Sequence, residues 1–240
     1  MPSEISNIRE IRELAKTFLE LPVKKDKLLP PEICVHHPFI SSSYVQAGKG
    51  VVDIIKHPKG LEIYKEQMKQ IIDKANVNEI FMFLRTQYRL VFLKQCYAYL
   101  SEKDLAELFA DAWISTENPN QDPNCSISFL IRMFQRCKKE YLMTEEDYKV
   151  YQSLPETFTV YRGVAVRRNP GGISWTQNLE TAKWFSQRFD NDNEKGYILT
   201  ATINKKDVLA YFNSRGEDEV VCNVKKMMIK ILPESVYSEE

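Results

Sequence analysis

Three short pieces between Val160 and Val221 carry residue types that together can act on a phosphate-bearing sugar. Val160-Tyr161-Arg162-Gly163 reads as a strand ending in a cation and a turn glycine. Ile173-Ser174-Trp175-Thr176 is a short strand edged with hydroxyls, and it follows the turn-forming Asn169-Pro170-Gly171-Gly172. Arg215-Gly216-Glu217-Asp218-Glu219-Val220-Val221 places two carboxylates at i and i+2 where a Gly-containing loop enters a β-branched run. In an extended run both carboxylates point to one side, because strand side chains alternate. Each piece also has an ordinary structural reading. Arg162 can be a surface cation, Ser174 and Thr176 a polar face beside a core Trp175, and Glu217/Glu219 a charged margin that blunts a sheet edge. Taken jointly and in order, the functional reading is the stronger.

These pieces need elements to hold them, and the periodicities predict an α+β chain. Apolar residues at helical spacing mark a helix over 3–21, ended by Pro22. Pro30-Pro31 and Pro38 hold Ile33-Cys34-Val35 extended. Helices are expected at Gly50–Lys56 and Leu61–Lys74, then a long one from Glu79 to Leu100. Ser101 with Asp104 caps Glu102–Ile114, Ser126 or Ser128 starts a helix through Leu142, and Thr144 with Asp147 starts a last short one. After Pro155 the texture changes. Strands are expected at Phe158–Val164, Ile173–Thr176, Tyr197–Ile203, Val208–Phe212, Glu219–Cys222 and Met227–Leu232, with one helix at Leu179–Phe189. This divides the chain into a mainly helical region, 1–155, and a strand-rich core, 156–236. The Glu239-Glu240 end is expected to fray.

Composition narrows the classes of function. The 240 residues can bury a sizeable core, and the 33 basic and 33 acidic residues cancel, so no global basic field argues for nucleic acid. Five scattered cysteines suit free thiols in a reducing compartment, and three histidines offer no zinc spacing. No basic-then-apolar leader and no membrane-length apolar run is present, so a cytoplasmic protein is expected. A Gly-x-Gly-x-x-Gly loop is also missing, which disfavours a Rossmann-type dinucleotide site.

In order and spacing, Tyr161-Arg162-Gly163, Ser174-Trp175-Thr176 and Glu217-Asp218-Glu219 resemble the arginine–serine–glutamate signature of the toxin-like mono-ADP-ribosyltransferases. The resemblance covers roughly the last 85 residues. It implies a core of two packed antiparallel sheets with NAD in the cleft between them, often beside an N-terminal helical region. NAD is then a co-substrate that donates ADP-ribose and releases nicotinamide, and no metal is implied. By resemblance Glu219 stabilises the oxocarbenium-like sugar, Glu217 orients or deprotonates the acceptor, Arg162 grips the diphosphate or ribose, and Ser174 fixes Glu219. Tyr161, Gly163, Trp175 and Thr176 complete the NAD-binding set, with Trp175 walling the nicotinamide pocket.

The acceptor stays open at this level. A Glu-x-Glu pair goes in this family with arginine acceptors, so a protein side chain is the first expectation. Bases of RNA or DNA are the alternative, with Lys205-Lys206, Lys225-Lys226 and Arg167-Arg168 as candidate contacts; water would make the protein an NAD glycohydrolase. A non-catalytic interaction module is the remaining class. From the family alone comes the expectation of a toxin, phage or antiviral-defence setting with an inhibitory, antitoxin-like partner.

Overall fold

A computed structural model of the chain describes residues 4–26, 34–191 and 193–236. Pro30-Pro31, Ile33 and the expected frayed end lie outside them. The described residues form two compact units, Met1–Glu117 and Asn118–Glu240, so the helices after Glu117 belong with the strands. The change of texture at Pro155 therefore falls inside the second unit and does not coincide with its start. The whole is mixed helix and antiparallel sheet, as the α+β reading expects. No helix among the described residues is long and apolar enough to cross a membrane.

In the first unit, helix α1 (Ile8–Leu19) is capped by Asn7 and buries Ile11, Ala15 and Leu19, one residue per turn of a single stripe. Ile5, counted in that stripe from sequence, precedes the helix and is exposed. Two small antiparallel pairs follow, β1 (Lys24–Lys25) with β2 (Val35–His36), and β3 (Tyr44–Ala47) with β4 (Gly50–Asp53). The second is a hairpin turned at Gly48, whose φ of 63° a glycine adopts without strain. This corrects the helix expected at Gly50–Lys56. Val51 and Val52 are β-branched and pair across the hairpin with Gln46 and Val45, while Val45, Ala47 and Ile54 join Val35 and Ile40 in a small core.

Helix α2 (Pro58–Lys74) starts with Pro58 in its first turn, and α3 (Val77–Phe83) opens on a capping box between Asn76 and Glu79. The expected helix 79–100 is interrupted, and α4 (Thr86–Cys96) begins after extended backbone at Leu84 and Arg85. Tertiary bonds explain the break. Arg85 donates its N–H to Pro38 O at 2.9 Å and its guanidinium to Val35 O at 2.6 Å. Helix α5 (Glu102–Ser115) starts at Ser101, which accepts the Asp104 N–H as expected. Phe92 anchors the unit, with edge-on contacts to Phe18 and Phe81 at 5.0 and 5.2 Å.

The second unit begins with α6 (Ile127–Arg136), α7 (Lys139–Leu142) and α8 (Glu145–Ser153), capped at Ser126 and Thr144. The single helix expected to Leu142 breaks at Cys137-Lys138, where the half-buried Lys139 turns its ammonium to Phe134 O and Leu209 O. Then come β5 (Thr157–Val164), β6 (Ser174–Thr176), α9 (Leu179–Gln187), β7 (Tyr197–Asn204), β8 (Val208–Phe212), β9 (Glu219–Cys222) and β10 (Lys230–Ile231). The first part of the predicted strand 227–232 is a short helical turn, Lys226–Met228.

These six strands hydrogen-bond in the order β10-β7-β5-β6-β9-β8. The two separate sheets expected from the resemblance are here one ladder with a narrow waist. Strands β5 and β6 share a single register pair, Tyr161 with Thr176, whereas β5 and β7 pair along their whole length. Beyond that pair the Arg162 guanidinium reaches across from β5 to the Ser174 carbonyl. The sheet thus consists of two three-stranded halves joined at one residue pair.

Gly163 fixes how α9 sits on the sheet. A Cβ there would stand 2.1 Å from Ala182 O and 2.6 Å from Ser186 N, so only glycine lets the helix approach this closely. Gly163→Ala is expected to destabilise the unit by about 1–3 kcal/mol through overpacking. Urea melts check this, and an unchanged midpoint would contradict it.

Candidate active site

Arg162, Ser174 and Glu219 lie on neighbouring strands, β5, β6 and β9. One row of register partners crosses the entire sheet through them: Lys230, Thr200, Tyr161, Thr176, Glu219 and Phe212. Directly paired residues present their side chains on the same face. The face therefore carries an aromatic, a hydroxyl and a carboxylate side by side, grading from exposed Lys230 to buried Glu219 and Phe212.

Glu219 is only 5% exposed. Ser174 is paired with Val221, two residues along β9 on Glu219's face, and its hydroxyl donates to Glu219 Oε1 at 2.5 Å. A charge-assisted bond of this length holds the carboxylate in one rotamer. Thr176, the direct partner of Glu219, donates its hydroxyl to Glu217 O at 2.8 Å and accepts the Asn178 N–H at 3.0 Å. It thereby ties β6 to both the 215–218 loop and the cap of α9.

Arg162 shares its face of β5 with Val160 and Val164, both buried. Its guanidinium donates to Pro170 O at 3.2 Å, Gly171 O at 3.4 Å and Ser174 O at 2.6 Å. Burial lowers its pKa, and the Glu219 carboxylate opposes that shift. Space for the fork comes from Gly172, where a Cβ would lie 2.6 Å from the nearer guanidinium nitrogen and 3.0 Å from the Asn120 side chain. Asn120 in turn accepts the Ile173 N–H at 2.8 Å. The sequence reading saw only a turn in Gly171-Gly172 and did not single out Asn120. A glycine doublet just ahead of a short strand was the available signal.

Glu217 and Glu219 do not form the same-side strand pair drawn from their spacing. Strand β9 begins at Glu219, and Asp218 has a positive φ of 47°, which breaks the alternation. Local bonds hold this conformation: Asp218 N–H donates to Asn213 Oδ1 at 3.0 Å, and Tyr211 donates its hydroxyl to Asp218 Oδ1 at 2.7 Å. Burial, and then Asp218, push the Tyr211 phenol well above its usual range, so it stays a donor. Glu217 sits in the loop, partly exposed, with its carboxylate on the Arg215 guanidinium at 2.7 Å.

Trp175 alternates away from Ser174 and Thr176, faces Val220's side of the sheet, and is 3% exposed. Tyr161, half-buried, and Phe212, buried, are the aromatics of the row on the carboxylate's face. At the Lys230 end of the row a cavity of about 390 Å³ opens, lined by Thr159, Thr200, Ala201, Thr202, Met228 and Lys230. Of the candidate cations, Lys205-Lys206 and Lys226 lie in short helical turns outside this row, Lys225 precedes the second turn, and Arg167, beside Arg168 in the segment after β5, pairs with Glu194 at 2.6 Å.

No protein-family model, no curated protein and no solved structure matches the chain.

Proposed function

We propose that this protein is an NAD-dependent mono-ADP-ribosyltransferase, moving ADP-ribose from NAD to a macromolecular acceptor and releasing nicotinamide. One observation carries the reading. Residues more than forty positions apart in sequence converge on Ser174, whose hydroxyl braces the nearly buried Glu219 carboxylate and whose carbonyl holds the Arg162 guanidinium. The order and types of the signature pieces resemble those of the arginine–serine–glutamate enzymes.

The donor set suits NAD as substrate. Three of the five guanidinium N–H groups of Arg162 are used on backbone carbonyls, and the other two point to a role on phosphate oxygens. Tyr161 offers a ring face beside Thr176 and Glu219 for the nicotinamide end. The threonine-lined cavity offers hydroxyls and the Lys230 ammonium to the remainder of the dinucleotide. Its volume falls within the usual range of small-molecule pockets.

In the reaction the bond between ribose C1 and the nicotinamide nitrogen breaks, and nicotinamide leaves neutral with the bonding electrons. Positive charge builds on C1 and the ring oxygen, where Glu219, held by Ser174, stabilises it. The acceptor nucleophile then bonds to C1, and its proton passes to Glu217 or to solvent. Arg215 holds Glu217 Oε2 at 2.7 Å, so that proton passes to the other oxygen of the carboxylate or to Oε2 once this contact opens.

Incubation with NAD labelled in its adenylate half, together with cell extract, tests the assignment. Label on a macromolecule is the expected result; free ADP-ribose alone would make the protein a glycohydrolase, and no turnover would sink the enzymatic reading. Glu217→Ala is expected to lose labelling while still releasing nicotinamide, since water reaches the cation unaided. Equal loss of both activities would remove this division of roles between the carboxylates.

A further inference from the structure

Strand β8 lies at one margin of the sheet, so its outward backbone N–H and C=O groups have no further strand to pair with. Side chains of the segment 139–147 reach three of them. The Leu209 carbonyl accepts the Lys139 ammonium, Tyr211 N–H donates to Met143 Sδ at 3.4 Å, and Asn213 N–H donates to Asp147 Oδ1 at 3.2 Å. Lys139, Met143 and Asp147, four apart in sequence, meet Leu209, Tyr211 and Asn213, two apart. A margin covered in this way is protected from pairing with another chain, which accounts for the first two contacts.

The third contact lies beyond the strand. Asn213 is the first residue after β8, where the 213–218 loop begins, and Asp147 is a carboxylate only 6% exposed. Asn213 commits three groups: its N–H to Asp147, its carbonyl to the Gly216 N–H at 2.9 Å, and its side-chain oxygen to the Asp218 N–H at 3.0 Å. The two positive-φ residues of the loop, Gly216 and Asp218, are the two whose N–H groups Asn213 receives. Glu217 stands between them, with its own carbonyl on the Thr176 hydroxyl at 2.8 Å. The near end of the loop is anchored on α8 and the far end on β6. Glu219 is held separately, by Ser174 and by its register partners Thr176 and Phe212.

We propose that Asp147 is a positioning residue: through Asn213 it sets the 213–218 loop so that Glu217 meets the acceptor. The inference rests on the transferase reading and on its division of roles between Glu217 and Glu219. Without the Asp147 carboxylate the Asn213 N–H loses its acceptor, and the loop is free to take other conformations. The bonds around Glu219 do not pass through Asp147 and remain. Transfer to the acceptor suffers, and nicotinamide release does not.

Two measurements on the full chain test this, with circular dichroism as the folding control. Hydrogen exchange, with no NAD present, should be faster over 213–218 in Asp147→Ala and unchanged in β6 and β9. In turnover, the ratio of ADP-ribose attached to nicotinamide released should fall by roughly 10- to 100-fold, the factor that one hydrogen bond to a charged group corresponds to. Asp147→Asn keeps an acceptor oxygen for the Asn213 N–H and should restore most of the ratio. Asn213 is exposed, so Asn213→Ala serves if Asp147→Ala does not fold, and it should lower the ratio in the same way. Unchanged exchange over 213–218, or faster exchange with an unchanged ratio, would overturn the positioning role and leave the transferase reading standing. Wild-type protein that attaches no ADP-ribose would overturn both.

Discussion

Glu219→Gln is expected to lower nicotinamide release from NAD by roughly 10²–10³-fold, the scale for removing one preorganised electrostatic group from a transition state. The side chain is nearly isosteric, and its amide oxygen can still accept the Ser174 hydroxyl that now sits 2.5 Å from the carboxylate. What disappears is the negative charge beside the developing cation. Because Glu219 is almost fully buried, solvent does not restore it. Chromatography of released nicotinamide, with a thermal melt as folding control, measures the effect. Near-normal release by the folded variant would remove Glu219 from the chemistry.

Arg162→Lys should be the second severe change, although it preserves charge. Arginine reaches three carbonyls, those of Pro170, Gly171 and Ser174, with a planar fork that Gly172 leaves room for. A single ammonium cannot span them, so at least two charge-assisted bonds are lost, about 3–6 kcal/mol together. The expected phenotype is a lowered urea midpoint together with turnover at background. A folded Arg162→Lys protein with ordinary NAD affinity would show that the fork serves only the backbone, and would vacate the phosphate-binding role.

Legibility from sequence followed the range of the forces involved. Caps at Ser101, Ser126 and Thr144 are local hydrogen bonds and read correctly from residue type and spacing. Four of the strands after Pro155, β5, β7, β8 and β9, also appear where expected, whereas the run 227–232 keeps only Lys230–Ile231 as strand. Misreadings arose where distant groups override local preference. Arg85 stays extended between two helices and bonds Val35 and Pro38, and Lys139 opens a new helix with its ammonium on Leu209 O. The hairpin at Gly48 was missed because Val51, Val52, Ile54 and Ile55 suit either period over so short a run.

The site divides the same way. Ser174 beside Glu219 was legible as order and type, since both sit on short strands that pair once the sheet forms. The left-handed turn at Asp218 was not, because it depends on Asn213 and Tyr211, which only folding brings to it. Nor was the dependence of Arg162 on Gly172 and Asn120, a steric fact of the folded loop. Trp175 was placed in the ligand set by its position in the signature, yet strand alternation buries it behind Ser174 and Thr176. Tyr161, half-buried, lies on their face of the sheet.

The most direct test is a crystal structure of the Glu219→Gln protein with NAD, since that variant should hold the dinucleotide uncleaved. The expected result puts diphosphate oxygens on the two remaining N–H groups of Arg162, the nicotinamide ribose against residue 219, and the nicotinamide ring beside Tyr161. NAD seated elsewhere on the molecule would contradict the account, as would crystals that bind none at millimolar concentration while Arg162 and Ser174 keep their present bonds.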